Sequence, residues 1–153
     1  MSCDSICKPA SPQAPRPSSP HSIYKRRVEF AETDMAGQVH FANFFRYMEE
    51  AEHAMWREAG LSIAPPGEAG FPRVAAALDF HAPLRFEDVF DVHVRIEAIA
   101  RRTIRYAHTI TRDGVTIATG TMTAVAVRKD PDMRAIDIPE EIAQRFAVWR
   151  PTS

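Results

Sequence analysis

Asp34 is the residue whose surroundings suggest chemistry. A strand ending at Glu32-Thr33-Asp34 delivers a carboxylate into a short loop containing Gly37. That loop runs straight into Phe41, Phe44, Phe45, Met48, Ala51 and Met55, whose spacing marks one face of a helix. The first amides of a helix have no partners within it and carry partial positive charge. They can polarise a carbonyl while a nearby carboxylate attacks it or activates water. A thioester suits such an arrangement, because its thiolate leaves readily and no strong general acid is obligatory. The other reading of Asp34 is a turn or capping residue, since Asp is favoured in both places.

The elements that must position this carboxylate follow from periodicity. Tyr24 to Ala31 alternates, with Val28 and Phe30 on one side and Arg27 and Glu29 on the other, as in a half-buried strand. The apolar helix is expected to stop near Ala59, where Gly60 can take the left-handed conformation of a helix C-terminus. Its phenylalanines, Phe41, Phe44 and Phe45, read first as core residues. Val74 to Phe80 reads as a strand, and Phe90, Val92, Val94 and Ile96 alternate with Asp91, His93, Arg95 and Glu97. Asp113-Gly114 is a two-residue hairpin signal that sets Ile110 opposite Ile117 and Thr111 opposite Thr116. Thr121 to Val127 continues the last strand, and Ile138 to Ala147 reads as a short helix beginning at Pro139. The order is strand, long helix, then about four antiparallel strands, an α+β layout. A curved sheet covering one helix leaves edge strands, which pairing of two copies would protect.

The chain has 153 residues, 45% hydrophobic and 25% charged, with a net charge of -1. That is the size and balance of one globular domain, and it lacks the basic excess of a nucleic-acid reader. No apolar run approaches the roughly 18 residues of a membrane span. Residues 1–22 are rich in Ser and Pro and read as a disordered tail, leaving 23–153 as a single domain. Cys3 and Cys7 both fall in the tail, so the folded part relies on no disulfide or thiolate-bound metal, and a reducing cytoplasm is the expected compartment. His53, His81, His93 and His108 show no metal-ligand spacing and read as satisfied or surface histidines. No metal is expected.

The stretch Glu32-Thr33-Asp34-Met35-Ala36-Gly37-Gln38-Val39-His40-Phe41-Ala42-Asn43-Phe44 resembles the signature of the 4-hydroxybenzoyl-CoA thioesterase family within the hotdog superfamily. Arg101-Arg102-Thr103 and Met133-Arg134-Ala135-Ile136-Asp137-Ile138-Pro139 extend the resemblance to the second half. It implies a hotdog fold, with a five-stranded antiparallel sheet wrapped around one long helix, assembled as dimers that often form tetramers. It also implies hydrolysis of an acyl-CoA, with an aromatic or short-chain acyl group and no cofactor apart from the coenzyme A of the substrate. Asp34 falls on the family's catalytic Asp, acting as nucleophile or as base for water, and Phe41 on the position whose backbone N–H polarises the thioester carbonyl. Glu49 falls on an acidic position that helps to recognise the acyl group. Arg101, Arg102 and Arg134 fall on or near residues that bind the phosphates of CoA, while Asp132 stands where a basic partner of that cluster is found. A non-catalytic acyl-CoA or lipid-binding module on the same fold is the competing function.

Overall fold

The computed structural model describes residues 21–64, 67 and 69–149. Cys3, Cys7 and most of the Ser/Pro-rich stretch lie outside the described residues. The chain runs β1 (His21–Arg27), a 3-10 turn (Phe30–Glu32), α1 (Phe41–Glu58), β2 (Ala69–Gly70), β3 (Arg73–Phe80), β4 (Val89–Ile99), β5 (Thr103–Arg112), β6 (Val115–Val125), β7 (Val127–Arg128) and α2 (Glu140–Val148). Five strands form one antiparallel sheet in the order β1-β4-β5-β6-β3, and β2 pairs with β7 separately.

α1 forms where the 3.6-residue pattern predicts it, because its apolar face has a sheet to pack against. Phe44, Tyr47, Met48, Ala51, Met55 and Trp56 are buried on the helix. Phe90, Val92, Val94 and Ile96 of β4, with Ile104, Tyr106 and Ile110 of β5, are buried in the same core. Each such large side chain taken from water stabilises the fold by about 1.5–3 kcal/mol. The helix ends at Ala59, and Gly60 has φ +79, the left-handed geometry expected there. α2 packs Phe146 edge-on against Trp56, with ring centroids 5.2 Å apart.

Three local readings are corrected. The first strand begins at His21 and ends at Arg27, and the chain then turns into the 3-10 segment, with Glu32 N–H bonded to Glu29 O at 3.0 Å. Phe30 is thereby turned outward and is 74% exposed instead of sharing the face of buried Val28. Phe41, read as core, is 61% exposed, and Phe45 is half-buried; only Phe44 of the three is buried. In the β5–β6 hairpin, Thr111 faces Thr116 as expected, but a bulge moves Ile110 opposite Ala118. The bulge has a use: Ile117 O accepts both His81 N–H (2.8 Å) and Ala82 N–H (3.1 Å), which anchors the end of β3.

β3 is an edge strand of sequence RVAAALDF and is exposed over most of its length. It approaches β6 closely at Gly120. A methyl group there would sit 2.3 Å from Ala77 O and 2.7 Å from Leu78 Cδ1. Gly120→Ala must therefore push β3 away from β6, with an expected loss of about 1–3 kcal/mol of stability. Urea denaturation checks this, and an unchanged midpoint would contradict the close approach.

Candidate active site

The segment around Asp34 is a tight hairpin rather than an irregular loop. Thr33 bridges Val39, Asp34 N–H donates to Gln38 O at 2.7 Å, and Gly37 N–H donates back to Asp34 O at 3.0 Å. Gly37 has φ +76, which the reversal requires and a side chain would strain. The Asp34 carboxylate takes part in the turn: Oδ1 accepts the N–H groups of Ala36 (2.9 Å) and Gln38 (3.3 Å). Oδ2 has no partner among the described residues, and in the single chain the side chain is exposed. The capping reading of Asp34 is thus correct for one oxygen and leaves the other available.

The hairpin ends on the first turn of α1. His40 is the N-cap, and its Nδ1 accepts Ala42 N–H at 3.2 Å, while Asn43 N–H donates to His40 O at 2.9 Å. Phe41 N–H has no acceptor among the described residues. Of the first three amides of the helix, the one assigned to carbonyl polarisation is the one left unbonded. An exposed apolar rim surrounds the loop: Met35 beside Asp34, Phe41 itself, and Phe30 stacked edge-on with Phe86 at 5.7 Å.

Residues on either side of the hairpin hold it against the helix. Arg26 of β1 forks onto Glu32, with NH1 to Oε1 at 2.6 Å and NH2 to Oε2 at 2.8 Å, and also reaches Glu50 of α1 at 3.2 Å. Partial burial would raise the Glu32 carboxyl, but the Arg26 hydrogen bond and the Glu29 N–H outweigh it and hold it below the usual carboxylate range. The same contact, led by the Glu32 hydrogen bond, raises Arg26 further.

The other sequence-assigned residues separate into two places. Glu49 is exposed on α1 and shares an i,i+4 row with Phe41, Phe45 and His53; its Oε1 lies 3.6 Å from His53 Nε2. Arg101 and Arg102, in the β4–β5 turn, both place Nε 3.3 Å from Asp137 Oδ1. Arg134 Nε lies 3.1 Å from Asp132 Oδ2, and Arg128, which sequence reasoning missed, contacts the same carboxylate at 3.0 Å. Local burial opposes ionisation of Asp132, but Arg128 and the Arg134 N–H hold its carboxyl low. The two clusters are joined through backbone: Ala126 N–H donates to Arg102 O, Ile138 N–H to Arg101 O and Arg128 N–H to Arg134 O.

Sequence reasoning also missed a buried ionic group. Glu52 of α1 and His108 of β5 are fully buried, with Glu52 Oε1 2.9 Å from His108 Nε2. That contact is short but misdirected, so neither atom has a well-formed hydrogen bond. Arg73 of β3 donates to Glu52 Oε2 and lies over the Tyr106 ring, 5.8 Å from its centroid. His108 is therefore a core histidine facing an acid, a placement that the i,i+2 pattern of β5 permits but does not announce. A shallow depression of about 430 Å³ lined by Glu141, Gln144, Arg145, Ala147 and Val148 of α2 contains none of the assigned residues.

Comparison with known proteins places this fold among thioesterases. A solved structure of a hypothetical protein from Aquifex aeolicus superposes with a TM-score of 0.76 at 30% identity, covering 82% of this chain and 98% of the other. The structure of a gentisyl-coenzyme A thioesterase superposes with a TM-score of 0.75 at 29% identity, covering 82% and 99%. The 4-hydroxybenzoyl-CoA thioesterase of Pseudomonas sp. (strain CBS-3) is 23% identical over 128 residues, 76% of this chain and 91% of the relative. The family description that matches residues 28–146 is the thioesterase-like superfamily, and this chain, a hotdog-fold thioester hydrolase, belongs to it.

Proposed function

We propose that the protein hydrolyses an acyl-CoA to the free acid and coenzyme A, with Asp34 and the N–H of Phe41 as the reacting pair. The observation that carries this reading is the unbonded Phe41 amide at the point where the Asp34 hairpin closes onto α1. The carbonyl oxygen of the thioester would accept from Phe41 N–H. Asp34 would then attack the carbonyl carbon, forming a mixed anhydride that water opens, or would take a proton from an attacking water. In either route the C–S bond breaks and the CoA thiolate departs. Arg101, Arg102 and Arg134, with Arg128, would hold the nucleotide phosphates, for which the arginine fork is suited. No cofactor is required beyond the substrate's own coenzyme A.

The acyl group is aromatic, 4-hydroxybenzoyl-like, or short. The named relatives act on gentisyl and 4-hydroxybenzoyl thioesters. Glu49 lies two turns along α1 from Phe41, roughly 12 Å of helix rise. Its side chain leans back toward the N-terminus, so the remaining span is about that of one aromatic ring and its carbonyl. Glu49 would meet a ring hydroxyl there.

A second copy would complete the pocket. Asp34 and its apolar rim are exposed in one chain, and β3 presents a long alanine-rich edge whose one basic residue, Arg73, is turned inward. Such an edge is a template for pairing, giving a homodimer and, from dimers, a homotetramer. Among the described residues no helix is long and apolar enough to cross a membrane, and the proposed setting is the cytoplasm. Purified protein should release free thiol from aromatic acyl-CoAs faster than from long-chain ones, read with a thiol-reactive dye. Tight binding without thiol release across aromatic, short and long acyl groups would instead identify a non-catalytic acyl-CoA-binding module.

A further inference from the structure

Asp34 lies on a surface hairpin, and its reaction requires a fixed distance to the Phe41 amide. The contacts that set this distance converge on Glu32, two residues before Asp34. The Glu32 carbonyl accepts two hydrogen bonds, from His40 N–H at 2.9 Å and from Asn43 Nδ2 at 2.9 Å. The first closes the base of the hairpin, and the second ties that base to the opening turn of α1. On the other side, the Glu32 carboxylate is held by both arms of Arg26 and accepts Glu29 N–H at 2.7 Å. Arg26 continues to Glu50 on α1 and lies over the Tyr47 ring, 4.9 Å from its centroid.

From these contacts we infer that Asn43 and Glu32, with Arg26 behind them, are positioning residues that hold the Asp34 carboxylate in register with the unbonded amide of α1. The inference rests on the acyl-CoA hydrolase reading and adds residues that never touch substrate. Stabilisation alone does not explain the arrangement. The bidentate Arg26–Glu32 pair, with side chains only 20% and 15% exposed, does stabilise the fold, but it leaves the hydrogen bond from Asn43 unexplained. The Asn43 amide is spent on a backbone carbonyl that His40 N–H already satisfies. What the second bond adds is a fixed angle between hairpin and helix, and displacement of about 1 Å at a reacting group can cost about 10²-fold in rate.

The test measures kcat and KM for thiol release from an aromatic acyl-CoA that the wild-type protein hydrolyses, together with the thermal midpoint. Asn43→Ala is expected to lower kcat about 10- to 10²-fold while KM stays within about twofold. Asn43→Asp, nearly isosteric, cannot donate when ionised and should lose kcat similarly. Its deficit relative to wild type at the same pH should shrink as pH falls and its carboxyl regains a proton to donate, whereas the Asn43→Ala deficit should not. Glu32→Gln, which keeps the carbonyl and an acceptor for Arg26, should retain more kcat than Glu32→Ala. Wild-type turnover with an undiminished kcat in both Asn43 variants overturns this inference alone, as does a kcat loss that tracks only the thermal midpoint. Wild-type protein that releases no thiol from any acyl-CoA overturns the hydrolase reading and this one together.

Discussion

Asp34→Asn should lower thiol release by about 10²- to 10⁴-fold while leaving the unfolding midpoint and the affinity for coenzyme A nearly unchanged. The substitution separates the two roles that the structure gives this side chain. Asparagine can keep Oδ1 accepting from the N–H groups of Ala36 and Gln38, so the hairpin survives. It cannot supply the anionic oxygen that attacks the carbonyl or takes a proton from water. Asp34→Ala removes both roles and should lose turnover while also loosening the turn. Turnover within tenfold of wild type in Asp34→Asn would show that Asp34 is a turn residue only.

Glu52→Ala should have the largest effect on stability, a loss of about 3–5 kcal/mol in urea denaturation. Truncation leaves His108 buried and Arg73 without its anion, and neither has a nearby acid among the described residues to replace Glu52. Replacing the group together, with Glu52→Met, His108→Leu and Arg73→Met, should recover most of the loss, because burying three polar groups is costly even when they are paired. A loss below about 1 kcal/mol in the single variant would mean that the buried group is not held together by Glu52.

The parts of the fold legible in the sequence were those set by long periodic patterns. α1 kept Phe44, Met48, Ala51 and Met55 of its predicted face and its C-terminal glycine, and Phe90 to Ile96 alternated as read, because both pack against a continuous apolar surface. The misread segments are short and governed by individual polar contacts. Phe30 left the strand because Arg26 and Glu29 draw Glu32 into a 3-10 turn, an effect of three side chains that periodicity does not register. Ile117 slipped by one position because its carbonyl serves His81 and Ala82, distant in sequence. At the site, the glycine turn that carries Asp34 into the start of α1 was legible in the sequence, and the catalytic role of Asp34 is a proposal. The anchoring of that turn by Glu32 and Asn43 was not legible, since that depends on a carbonyl and an amide eleven residues apart. The Glu52–His108 contact was equally hidden, because a histidine on an inward strand position looks the same in sequence whether it meets an acid or an apolar wall.

A crystal structure of the protein with a non-hydrolysable acyl-CoA analogue tests most directly whether Asp34 and the Phe41 N–H act on one thioester. The expected result is the acyl carbonyl oxygen within hydrogen-bond distance of Phe41 N–H, the carbonyl carbon beside Asp34 Oδ2, and the nucleotide phosphates against the arginine cluster. An analogue bound with its carbonyl away from both groups would contradict the account.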